Sequence, residues 1–131
     1  MPLLRTGRNI IAALLNGEAV TPLLTGTGAT MWVGSGSGVH DASDNHLKGT
    51  SVMSTMESGY PSRSVNALSY RGIYATNVAN FNWMEWGLKN ATTSATSTAA
   101  NVFMLQRMVE DLGTKVNTAQ WQLTATLTLT T

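Results

Sequence analysis

The chain of 131 residues carries 8 basic and 7 acidic side chains, a net charge of +1, and no cysteine. Its basic residues are scattered, which excludes a nucleic-acid or anionic-membrane footprint, and the missing thiols exclude disulfides and thiolate metal sites. Charged residues make up only 11% of the chain against 43% apolar ones, so the surface is polar through Thr, Ser and Asn, a balance that suits β-structure and surfaces covered by other subunits.

The length fits one domain over 1–131, with an N-terminal arm and helix over 1–18 and a β-region over 19–131. Residues 6–16 are predicted helical. Thr6 stands at the cap position, Ile10, Ile11, Leu14 and Leu15 form one apolar stripe, and Gly17 supplies a left-handed stop. The apolar run is too short for a signal peptide or a membrane span and is closed by Asn16-Gly17-Glu18, so it reads as part of the mature fold. Arg5 and Arg8 are either solvated charges or an arm that meets an acidic partner.

A loop over 19–30 is followed by a short buried strand at Thr30–Gly34. A long polar loop then runs to Thr50, with Asp41, Asp44 and Asn45 as turn formers and Leu47 as its core anchor. A weak strand is expected in 51–59, before the turn Gly59-Tyr60-Pro61. Two aromatic-rich strands, 67–75 and 81–88, are expected to pair as neighbours. Residues 90–98 form an uncharged low-complexity stretch that reads as an exposed flexible loop. Val102–Val109 fits both periods and is taken as a strand, and 111–115 as a turn.

The segment 120–131 alternates apolar and polar side chains throughout. It puts Trp121, Leu123, Ala125, Leu127 and Leu129 on one face and Gln120, Gln122, Thr124, Thr126, Thr128 and Thr130 on the other. A long strand with one wet face belongs to an antiparallel sheet, so the expected fold is a mainly β antiparallel sandwich or small barrel with one short N-terminal helix.

Candidate chemistry is thin. His40, Asp41, Asp44 and His46 lie within seven residues and carry metal-ligand groups, but their spacing matches neither the helical zinc pair nor the calcium loop, and Asp-Ser-Asn clusters are ordinary turn material. No serine sits at a strand-to-helix nucleophile elbow, and the glycines of 34–38 open no phosphate-binding helix. The chain therefore reads as a non-enzyme with no catalytic residues, cofactor or metal. Glu85 stands between Trp83 and Trp86 and is either a carboxylate with a raised pKa or a sugar-binding acid beside aromatic platforms, or else an acidic group on the wet face of an edge strand or paired with Arg71 or Lys89. The odd separation of Trp83 and Trp86 turns one of them outward in a regular strand, where an exposed tryptophan serves as a contact hot spot.

Several segments taken together resemble small virion structural proteins of tailed bacteriophages. They are the helix ending Asn9 to Gly17, the strand-loop Trp32 to Gly38, Asp41-Ala42-Ser43-Asp44 with Leu47, Asn82 to Ala91, Met104 to Arg107, and the Trp121 to Thr130 ending. The resemblance implies a non-enzymatic virion protein that decorates and cements the capsid by binding across seams of the major capsid protein. A tail, neck or fibre component is the alternative, and a carbohydrate- or receptor-binding β-module is the alternative from another class. It further implies a homo-oligomer, guessed as a trimer, made in the host cytoplasm and located on the capsid surface, or else in the tail or neck, with neither nucleic acid nor membrane as a partner. The contact residues expected on this reading are Leu3, Leu4, Arg5 and Arg8 of the arm, His40, Asp41, Asp44 and His46 of the loop, and the outward member of Trp83 and Trp86.

Overall fold

A computed structural model describes residues 3–18, 28–90 and 104–130. One helix, α1 (Arg5–Leu15), precedes seven strands: β1 (Thr30–Gly34), β2 (Ser51–Thr55), β3 (Ser62–Ser64), β4 (Ala67–Tyr74), β5 (Asn82–Lys89), β6 (Met104–Thr114) and β7 (Trp121–Thr128). They form two antiparallel sheets, β2-β1-β5-β6 and β3-β4-β7, stacked as a sandwich.

The helix is where its apolar stripe predicts, and Gly17 takes the left-handed conformation that stops it. Its N-cap is Leu4 rather than Thr6. Thr6 lies inside the first turn and turns its hydroxyl onto the Met104 carbonyl of β6 (3.0 Å), a tertiary bond that replaces the local cap. The wet face of β7 is as read: Gln122, Thr124, Thr126 and Thr128 are exposed, while Ala125 is buried and Leu123 and Leu127 are half-buried.

The two aromatic strands do not pair with each other. β4 lies between β3 and β7 in one sheet, and β5 lies between β1 and β6 in the other, so residues 75–81 carry the chain across the sandwich. Lys115 holds that crossing, with its buried amine donating to the carbonyls of Ala75 (2.7 Å) and Thr76 (3.3 Å) and to Asn80 Oδ1 (2.8 Å). β6 also continues to Thr114 where a turn was expected, because residues 113–114 still pair with Asn82 and Trp83. The loop expectations for 19–27 and 91–98 lie outside the described residues.

The core between the sheets is built on stacked rings. Trp83 meets Tyr74 at 4.9 Å and Trp121 at 5.0 Å, both edge to face. The polar tips are satisfied: Tyr74 donates to the Met31 carbonyl (2.8 Å) and the Trp83 indole to that of Ala79 (2.9 Å). Burying each such ring contributes on the order of 2 kcal/mol or more. Burial also pushes the phenols of Tyr70 and Tyr74 up from their ordinary range, since the ionised form would lose its hydration.

Neither Trp83 nor Trp86 faces outward, for they are 1% and 8% exposed and belong to the same core cluster. The reason is a register shift in the pairing of β5 with β6 between Trp83 and Glu85. Two steps along β5 there oppose four along β6, from Gly113 to Val109, and at this irregularity the strict alternation breaks, so two residues of odd separation join the same cluster.

Candidate functional site

The same irregularity sends Glu85 to the opposite, outer face of the four-stranded sheet, where residues 35–50 fold over it. Glu85 is fully buried, and each of its oxygens takes two donors. Oε1 accepts the backbone N–H of Gly36 (3.1 Å) and of Gly49 (2.8 Å), and Oε2 accepts the N–H of Lys48 (3.1 Å) and Nε of Arg107 (2.7 Å). Such close approach requires glycine: a Cβ on Gly49 would lie 2.2 Å from the nitrogen of Gly36.

Arg107, also fully buried, spends the rest of its guanidinium on the same loop. Nη2 donates to the Gly38 carbonyl (2.8 Å), and Nη1 to Asp44 Oδ2 (3.2 Å) and the Val39 carbonyl (3.4 Å). Lys48 adds an outer layer, with its amine 3.4 Å from Asp44 Oδ1 and 2.7 Å from the Val39 carbonyl. Leu47 anchors the loop in a second apolar cluster with Leu4, Trp32 and Met104. The cluster Glu85–Arg107–Asp44–Lys48 is thus a charge-balanced clasp that fixes a long loop to the sheet. Its planar fork and charge-assisted bonds are what make a buried pair tolerable.

A carboxylate whose acceptor positions all face inward donors has no lone pair aimed at a substrate, so Glu85 is placed to hold backbone rather than to move a proton. Both sequence readings of Glu85 are corrected. It does not sit in a groove of exposed aromatics, and its partner is neither Arg71, which lies beside Glu57 (3.5 Å) and over the Tyr60 ring (4.4 Å), nor Lys89. Lys89 packs 5.5 Å from the Trp32 ring centre, and burial pushes its amine down from its ordinary range.

The other predicted site residues divide. Asp41 closes a local turn, accepting from the Ser43 N–H (2.7 Å) and hydroxyl (2.6 Å), and those bonds hold its carboxyl below the ordinary value. Asp44 is drawn inward to Arg107, His46 contacts the Asn45 side chain, and Nδ1 of His40 is buried with no partner among the described residues. Among the described residues no three His, Asp or Glu side chains converge as a ligand set. The arm is docked on β6, which removes Leu4 from the expected contact surface: Leu3 bridges to Gln106, and Leu4 is buried and donates its N–H to the Leu105 carbonyl (3.0 Å). Arg5 and Arg8 point outward, and the Arg5 N–H reaches the Ala42 carbonyl (2.7 Å). The helix start and the loop therefore form one continuous surface, while Trp83 and Trp86 lie elsewhere, in the core.

Sequence reasoning missed Arg107, which it placed in an expected strand without a role of its own. The available signal was the run of close glycines at 34, 36, 38 and 49, which marks a backbone packed hard against a side chain. Searches of protein-family models, of characterised proteins and of solved structures return no match for this chain.

Proposed function

We propose that the chain is a structural subunit that works by burying surface against neighbouring proteins, and that it is a virion protein of a tailed phage, laid across seams of the major capsid protein. The observation that carries the reading is the disposition of its charges. The densest group of ionisable side chains is consumed in bracing the loop 35–50, and what that loop and α1 present outward is short polar side chains such as Ser35, Ser37, Ser43 and Thr50, the apolar Val39, Leu14 and Leu15, and the separate charges of Arg5, Arg8, Asp41 and Lys48. A braced loop loses little conformational freedom on docking, and multiple copies make individually weak contacts effective. The finer assignment to a virion rests on the resemblance of the sequence segments; among the described residues Trp83 and Trp86 are buried and form no exposed aromatic groove of the kind a sugar-binding module needs.

The test is add-back. Purified chain is incubated with phage heads that lack it, and binding and thermal rupture of the heads are followed. Saturable binding with a raised rupture temperature is expected, binding confined to tail or neck assemblies moves the chain there, and no binding to any particle component contradicts the proposal.

A further inference from the structure

β7 is the outer strand of its sheet, and the hydrogen-bond parity of its free edge can be read from one bond. The N–H of Leu129 donates to the Asn66 carbonyl (2.9 Å). In an antiparallel pair, bonded and non-bonded residues alternate, so Trp121, Leu123, Ala125 and Leu127 bond toward β4. The backbone groups of Gln122, Thr124, Thr126 and Thr128 then point away, into the open edge. The same count makes Ser64 and Ala67 a bonded pair closing the two-residue turn of the β3–β4 hairpin, as such a turn requires.

The edges at β6 and at β3 are blunted. Leu3 and Leu4 cover the start of β6, whose remainder carries Glu110 and Asp111 and faces a register shift. β3 is only three residues long, and beyond it the Ser54 hydroxyl and the Glu57 N–H cover the outer groups of Ile73 and Arg71 on β4. Among the described residues β7 has none of these devices: it is eight residues of unbroken register, without proline or charge. A long, regular, uncharged edge is a template for another strand.

We propose that the occupant is β7 of a second copy, paired antiparallel about a twofold axis at Ala125, which joins two three-stranded sheets into one of six. The strand is complementary to itself in this register. Thr124 meets Thr126 of the second copy and Gln122 meets Thr128 of the second copy, each pair exchanging both outward bonds. Ala125 meets its own copy at a close non-bonded position that favours a small side chain. On the apolar face, half-buried Leu123 meets Leu127 of the second copy, and Leu129, 65% exposed in the single chain, covers Trp121 of the second copy. With no charge on the strand, no like charges are brought together when it meets itself. The contact is isologous and closes at two copies, in contrast to the trimer implied by the sequence resemblance. It does not depend on the virion reading, since a monomer would leave the loop surface intact.

The test is the mass of the full chain by light scattering across a dilution series, beside Thr126→Lys and Ala125→Cys. The mass is expected to rise from 14.0 kDa toward twice that value. Thr126→Lys should weaken association by about tenfold or more through the charge placed on the edge. Ala125→Cys, the one thiol in the chain, should cross-link as a dimer under mild oxidation. A mass that stays monomeric overturns the proposal, as does a trimer, or a dimer that ignores Thr126→Lys and gives no cross-link. Should either variant fail to fold, amide exchange of the native chain decides: protection of residues 122, 124, 126 and 128 that is lost on dilution supports the pairing, and exchange of those amides independent of concentration refutes it.

Discussion

Replacing Arg107 by methionine keeps the apolar stem and removes four donated hydrogen bonds, to Glu85, Asp44, Gly38 and Val39. Glu85 is left fully buried with three backbone donors and no counter-charge. Removing one partner of a buried ion pair costs about 3–5 kcal/mol, and the three remaining N–H bonds place this site at the lower end, about 3 kcal/mol. For a domain of this size that corresponds to a fall in Tm of roughly 10 °C. The loss should be local as well as global, because the loop 35–50 hangs on the pair, so the amides of Gly36, Lys48 and Gly49 should exchange faster than those of β4. Urea unfolding with residue-resolved hydrogen exchange measures both. The Glu85→Gln and Arg107→Met double variant should lose clearly less than the sum of the singles, since the orphaned charge disappears with its partner. A loss below about 1 kcal/mol, with the Gly36 and Gly49 amides still protected, would refute the clasp.

Three further outcomes follow from local geometry. Gly7→Ala should destabilise, although alanine favours helix by about 1 kcal/mol, because its Cβ would sit 2.3 Å from the Leu105 carbonyl oxygen; an unchanged or raised unfolding midpoint contradicts the docking of α1 on β6. Val65 holds a φ of 49° at the tip of the β3–β4 hairpin, a conformation costly for a β-branched residue, so Val65→Gly should stabilise by about 1 kcal/mol, and a loss in urea unfolding contradicts it. The phenols of Tyr70 and Tyr74 are raised above their ordinary 10.0, so the folded state holds their protons longer than the unfolded chain does. Their contribution is complete below that value and is lost as pH rises past it, so stability should begin to fall at about pH 10 and keep falling at higher pH. Lys89, lowered by burial, acts in the opposite sense. The decisive comparison is therefore with Tyr74→Phe, which should show a shallower alkaline decline, while an identical decline sinks the assignment.

Legibility in the sequence followed the range of the interaction. β7, β1 and α1 announce themselves through alternation, an apolar run and a stripe, all set by residues a few positions apart, and Leu47 was legible as the core anchor of a polar loop. The two tryptophans of β5 were misread because a register shift is invisible to a count of two. The pairing of β4 with β7 rather than β5 joins segments separated by some 50 positions, as at Ser69 and Thr126, whose hydroxyls meet at 3.1 Å with a separation of 57. The clasp joins Glu85 to loop amides up to 49 positions away. No local pattern encodes such a contact; only the glycines that make room for it hint that one exists.

The central claim, that this chain is a structural subunit of a virion, is tested most directly by counting its copies in purified particles, by quantitative mass spectrometry against the major capsid protein. Copies in fixed, near-stoichiometric proportion to capsid protein are predicted, and absence from the particles would contradict the account.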